Sequence, residues 1–157
     1  MARRTLVVIA HAPSPNTAKL RDAVLRGARD ESIEDVSARW VAPLEAGPDD
    51  VKAADAVILG TTENLGYMSG ALKDFFDRSY YPCLDETEGM PYALYIRAGS
   101  DGTGTRRAVQ SITGGLKWKP VQEPVICRGP WKDEFLDWCE ELGMAVAAGL
   151  DAGIFGR

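Results

Sequence analysis

Histidine is nearly missing from this chain: His11 stands alone, and the three cysteines, Cys83, Cys127 and Cys139, form neither a CxxC pair nor a Cys/His cluster. That poverty removes the usual zinc sites, so no metal is expected. It also argues against a hydrolase triad, since "GYMSG" (66–70) is not a GxSxG elbow and only one imidazole could serve it. Positive charge is in short supply. Eighteen Lys and Arg against 23 Asp and Glu leave a net charge of −5. Neither Arg3-Arg4 nor Arg106-Arg107 makes a nucleic-acid footprint, so no nucleic acid is expected as a partner. No apolar stretch nears the roughly 20 residues of a membrane helix, and no signal-type apolar region is seen. With an odd cysteine count, the expectation is a soluble cytoplasmic domain that meets no membrane. A Walker GxxxxGK[ST] loop is absent. The aspartate that a phosphoacceptor receiver needs at the end of its third strand is replaced by Gly60-Thr61-Thr62.

What is present is alternation. The 157 residues fit one domain, 1–157, in which apolar runs alternate with helical patterns, as in an α/β protein with a parallel sheet. "TLVVIA" (5–10), "DAVILG" (55–60) and "PYALYIRAG" (91–99) are continuous apolar runs, expected of strands covered on both faces. "EDVSARWV" (34–41) alternates and "KPVQEPVIC" (119–127) carries two prolines, so these two belong at sheet edges. Helices are expected over 17–29, 47–54, 69–78, about 106–113 and 132–149, with Asn16 or Thr17 as cap of the first and a polar connection over 79–90. Five strands with the second and fifth outermost give a three-layer sandwich with a five-stranded parallel sheet in the order 2-1-3-4-5.

In such a sheet ligands bind beyond the strand C-termini where strand order reverses. The loops there are "HAPSPNT" (11–17), "TTENLGYMSG" (61–70) and "GSDGTGT" (99–105), all rich in hydroxyls and turn residues. The first ends at a helix N-terminus, where unpaired N–H groups favour an anion, and Ser14, Asn16 and Thr17 add uncharged donors suited to a phosphate monoester. Helix capping alone would use one of the three. His11 is placed to contact phosphate or substrate, or else to satisfy loop backbone. The second loop has no Lys or Arg. Thr61 to Met68 offer backbone donors, the Asn64 amide, Gly66 and flat or flexible side chains, a set suited to a planar heterocycle. The third, through Gly99, Ser100 and Asp101, is expected to form another wall. A solvated helix face is the reading of Arg106 and Arg107.

At these loops the chain resembles the flavodoxin-like superfamily, in particular its NAD(P)H-dependent FMN reductases and quinone reductases. "SPNT" (14–17) and "GTTENLGYMSGALKDFFDR" (60–78) carry the likeness. It implies FMN held without a covalent bond: Ser14, Asn16 and Thr17 on the phosphate; Thr62, Glu63, Asn64, Leu65, Gly66 and Met68 along the isoalloxazine; Gly99, Ser100 and Asp101 on its other side. It further implies reduction by NAD(P)H and transfer to a small acceptor such as a quinone, with Tyr67, Tyr80 and Tyr81 as acceptor-pocket walls. A homo-oligomer whose neighbouring subunit completes the pocket is among its implications. No acid–base side chain is singled out. Thr62 replaces the family's common proline, and Pro13 and Pro15 stand where flavodoxins carry Gly and Thr, which makes the alternative of a flavodoxin-type electron carrier the poorer match.

Overall fold

The computed structural model describes residues 3–156. Its sheet is built from β1 (Arg4–Ala10), β2 (Val36–Val41), β3 (Ala56–Asn64), β5 (Pro91–Ala98), β6 (Lys119–Pro120) and β7 (Val125–Arg128), with β4 (Tyr67–Met68) folded back on the end of β3. The helices are α1 (Pro15–Ala28), α2 (Pro48–Lys52), α3 (Gly70–Cys83), α4 (Thr103–Gly115) and α5 (Glu134–Asp151). The ladder runs β2-β1-β3-β5-β6, all parallel, and β7 pairs with β5 beyond β6. The α/β fold and parallel sheet are as expected, but the strand count is seven rather than five. Lys119–Pro120 and Val125–Arg128 are one edge strand interrupted where its register on β5 slips by about two residues. Lys119 N and Val121 N both bond β5, so the missing N–H of Pro120 faces away from the sheet, as an edge proline must. The extra antiparallel piece arises because β3 runs four residues past Gly60 before it turns.

Two cores cover the sheet. Leu6, Val8, Ala10, Ile58 and Tyr95 face α1 and α5; Val7, Ile9, Leu59, Leu94 and Ile96 face α2, α3 and α4. Strand alternation alone puts these sets on opposite faces. On the first face, α1 and α5 touch backbone to backbone. A Cβ on Gly27 would lie 1.9 Å from the Glu140 carbonyl oxygen, and one on Gly143 would lie 2.0 Å from that of Val24. Among the described residues no helix is long and apolar enough to cross a membrane.

Three local outcomes differ from the patterning. Ser14, not Asn16 or Thr17, caps α1, since Pro15 takes the first helical position. The segment 79–83 is the last turn of α3 rather than a polar connection: Ser79 and Cys83 are buried, and the helix runs through Pro82 at the loss of one N–H bond to the preceding turn. At the outer edge, Arg3 donates to the Val36 carbonyl at 3.2 Å, and Arg29 to that of Ala38 from Nη2 and Nε at 2.9 and 3.2 Å.

Tyr95 is fully buried against α1 and α5, and its hydroxyl has no hydrogen-bond partner. Burial pushes the phenol pKa well above its ordinary range, so the proton stays on. A buried hydroxyl left unpaired destabilises, and Tyr95→Phe removes it at nearly constant volume. The expected result is a gain of about 1 kcal/mol, read as a higher urea midpoint at unchanged m. A loss of stability would show that the hydroxyl is satisfied in solution.

Candidate functional site

β1 and β3 are neighbours, and their chain connections leave in opposite directions, so the crevice beyond their C-termini is the switch point of the sheet. The loop after β1 enters α1 through a reciprocal cap. Thr17 N donates to Ser14 Oγ at 3.2 Å, and Ser14 N to Thr17 Oγ1 at 2.9 Å. The Thr17 hydroxyl also donates to the Ser14 carbonyl at 3.0 Å. Thr17 is buried and its hydroxyl proton is used in the cap. The Ser14 hydroxyl then donates to Thr17 Oγ1 at 2.8 Å, so the donors left over are the Asn16 side chain, which is exposed, and the Asn16 N–H, which as a first-turn group has no acceptor within the helix. Phosphate binding and capping therefore divide the three residues between them. His11 is half-buried, and its N–H bonds the Gly60 carbonyl at 3.0 Å. Burial lowers its pKa below the ordinary value, which favours the neutral imidazole.

The expected loop over 61–70 is a β-hairpin. Glu63 pairs with Met68 and Asn64 with Tyr67, and Leu65 and Gly66 form a two-residue turn with φ of 53° and 76°. Positive φ at both central positions is what a type I′ hairpin requires. For a side chain as bulky as leucine that conformation is unusual, and it leaves Leu65 wholly exposed at the tip. Thr61 is buried; its hydroxyl accepts the Ser69 N–H and donates to the Thr62 carbonyl, both at 2.9 Å, which pins the return of the hairpin into α3. Met68 is buried in the core under α3. Thr62, whose hydroxyl donates to Asn64 Oδ1 at 2.9 Å, is half-buried, and Asn64, Leu65, Gly66 and Tyr67 are exposed at the mouth.

The turn after β5 lies against this hairpin. The Glu63 carboxylate accepts the N–H of Ser100 at 2.8 Å and of Gly102 at 2.9 Å. Asp101, between them, is exposed; its carboxylate accepts the Thr103 N–H, which lowers its pKa, and its carbonyl accepts from Arg128. Close backbone approach occurs at Gly104, where a Cβ would lie 2.4 Å from the Gly66 carbonyl oxygen. Gly66 and Gly99 have open space at the same test, so Gly66 is required by its positive φ.

The structure thus brings Ser14, Asn16, Thr62, Asn64, Leu65, Gly66, Gly99 and Ser100 to the strand C-termini as solvent-reachable groups, while Thr17, Thr61, Glu63 and Met68 build the frame behind them. Tyr80 and Tyr81 do not join them. Ten residues into α3 they stand ~15 Å from its start, at the far end of the sheet. Arg106 faces Glu123 at 3.6 Å on the surface. Sequence reasoning missed Trp40 and Arg21. Trp40, at the end of β2, donates to the Ala10 carbonyl at 2.9 Å beside the β1 loop, and Arg21 lies 4.4 Å above its ring. A tryptophan closing an edge strand next to the crevice was the signal. A separate hollow of about 500 Å³ between β7 and α5, lined by Val125, Ile126, Trp138 and Leu142 among others, contains none of the site residues.

A protein-family model described as NADPH-dependent FMN reductase matches residues 16–127. Among curated proteins, a flavodoxin of Aquifex aeolicus (strain VF5) is 27% identical over 97% of this chain and 90% of its own. Among solved structures, a flavodoxin from the domain Archaea superposes with a TM-score of 0.76 at 18% identity, covering 93% of this chain and 98% of that one. A flavodoxin, WrbA-like protein from Agrobacterium tumefaciens gives 0.72 at 18% identity, over 96% and 98%.

Proposed function

The chain belongs to the NADPH-dependent FMN reductase family, and from that premise we propose that it binds FMN and passes reducing equivalents from NAD(P)H to a small acceptor such as a quinone. The observation that carries this reading is the pairing, at the switch point, of an uncharged anion anchor on α1 with a hairpin wall fastened to the start of α4. The donor set fits the group: the Asn16 amide and first-turn N–H for a phosphate, with the exposed Ser14 hydroxyl able to turn to it from the cap, and exposed backbone with Thr62 and Asn64 for a polar ring edge.

Ser14 and Asn16 hold the phosphate in this reading, with the α1 dipole supplying the positive end. Thr62, Asn64, Leu65 and Gly66 line one side of the ring, and Gly99 and Ser100 the other. The chemistry supplied by bound FMN would be hydride acceptance from a nicotinamide and two-electron transfer to the acceptor. The residues shape the slot and exclude water. None of the segment from Gly99 to Gly104 is aromatic, so this segment presents no ring of its own to stack on the flavin. Tyr67, exposed at the hairpin, is the remaining acceptor-side wall.

The likeness to proteins named flavodoxin favours a second reading, an FMN electron carrier serving protein partners. The protein incubated with FMN and desalted is expected to keep the flavin absorbance and to lose it on anaerobic addition of NADPH or NADH. Flavin that neither nucleotide bleaches would move the function to the carrier. A folded chain that takes up no FMN at any concentration would remove both.

A further inference from the structure

The Glu63 carboxylate reaches across 37 residues of sequence to the turn after β5, where each oxygen accepts one backbone N–H, of Ser100 and of Gly102. Gly102 is the N-cap of α4, a 13-residue helix, and it has no side chain of its own to cap with. The carboxylate therefore sits at the positive end of the helix, in a concavity of N–H groups of the kind that binds phosphate in other proteins. None of the ion pairs among the described residues involves Glu63, so these N–H groups and the helix end are what answer its charge. Glu63 itself is held in the hairpin by its pairing with Met68, and the hairpin tip is pressed on α4 where the Gly66 carbonyl meets Gly104.

We infer that Glu63 is an internal anion that fills this nest, closes it to foreign phosphate, and clamps the hairpin and the Ser100–Gly102 turn at a fixed spacing before any ring arrives. It is a positioning residue rather than a direct contact of the cofactor. The part concerning the ring rests on the FMN reading above; the clamp itself does not. With the α4 nest filled from within, that helix end is closed to a phosphate, which in the reading above goes to the start of α1.

The test uses the whole chain and the variants Glu63→Ala and Glu63→Gln, each first shown to be folded by circular dichroism. In the apo protein the Ser100 and Gly102 amides, followed by NMR, are expected to exchange at least about tenfold faster in Glu63→Ala, a loss of roughly 1.4 kcal/mol of protection. Sodium acetate in excess restores protection in that variant and changes nothing in the parent protein. FMN affinity falls at least about tenfold in Glu63→Ala, and Glu63→Gln, with one acceptor oxygen left, falls between. Unchanged exchange in Glu63→Ala, or no effect of acetate, would overturn the clamp. FMN bound by Glu63→Ala as tightly as by the parent, or more tightly, would overturn the positioning role. If the parent takes up no FMN, the cofactor reading fails, and exchange and acetate still decide the clamp.

Discussion

Gly143→Ala is expected to destabilise the protein by about 3 kcal/mol or more, the upper end of what overpacking costs. The added methyl would lie 2.0 Å from the Val24 carbonyl oxygen and 2.9 Å from its carbon. Both are backbone atoms of a helix, so no rotamer change relieves the overlap and α1 and α5 must part. Parting them loosens Leu20, Val24, Phe135, Leu142 and Val146, which fill the first core. Urea unfolding should show a lower midpoint at unchanged m. Gly27→Ala meets the Glu140 carbonyl in the same way, and one displacement relieves both, so the double variant should lose less than the sum of the two. A cost below about 1 kcal/mol for Gly143→Ala would mean that the helices sit further apart in solution.

Gly104→Ala should separate stability from binding. The new methyl would come within 2.4 Å of the Gly66 carbonyl oxygen and push the hairpin off α4. Alanine in the first turn of a helix is favoured over glycine by up to about 1 kcal/mol, which offsets the strain in the fold. The expected result is a chain of near-parental stability whose FMN affinity, followed by quenching of flavin fluorescence, is weakened at least about tenfold. Unchanged affinity would show that the hairpin is no wall of the ring slot.

The strands that hold the site were legible because Leu6–Ala10, Ala56–Gly60 and Pro91–Ile96 are buried on both faces and read as unbroken apolar runs. Their order followed from which strands were weakest. The hairpin was not legible: Thr61 to Met68 lacks alternation, and its turn places leucine where Asn or Gly is the usual signal. Pro82 hid the last turn of α3, since proline normally marks an end. The hydroxyls at 14–17 were correctly placed at a helix start, but which of them the cap would use depended on Pro15. The roles of Glu63 and Gly104 depend on contacts between segments about 37 residues apart, and nothing local announces them.

The two outer strands share a property that bears on the life of the protein at high concentration. Arg4 N donates to the Asp35 carbonyl, and carbonyls alternate along a strand, so those of Val36 and Ala38 point outward. They are the ones that Arg3 and Arg29 cover with guanidinium groups. On the opposite side the row is interrupted between Pro120 and Val125. A sheet with a charged cover on one flank and a broken row on the other is a poor template for a further strand, from a second molecule or from a misfolded copy, and edge-to-edge growth into aggregates is blocked at both ends.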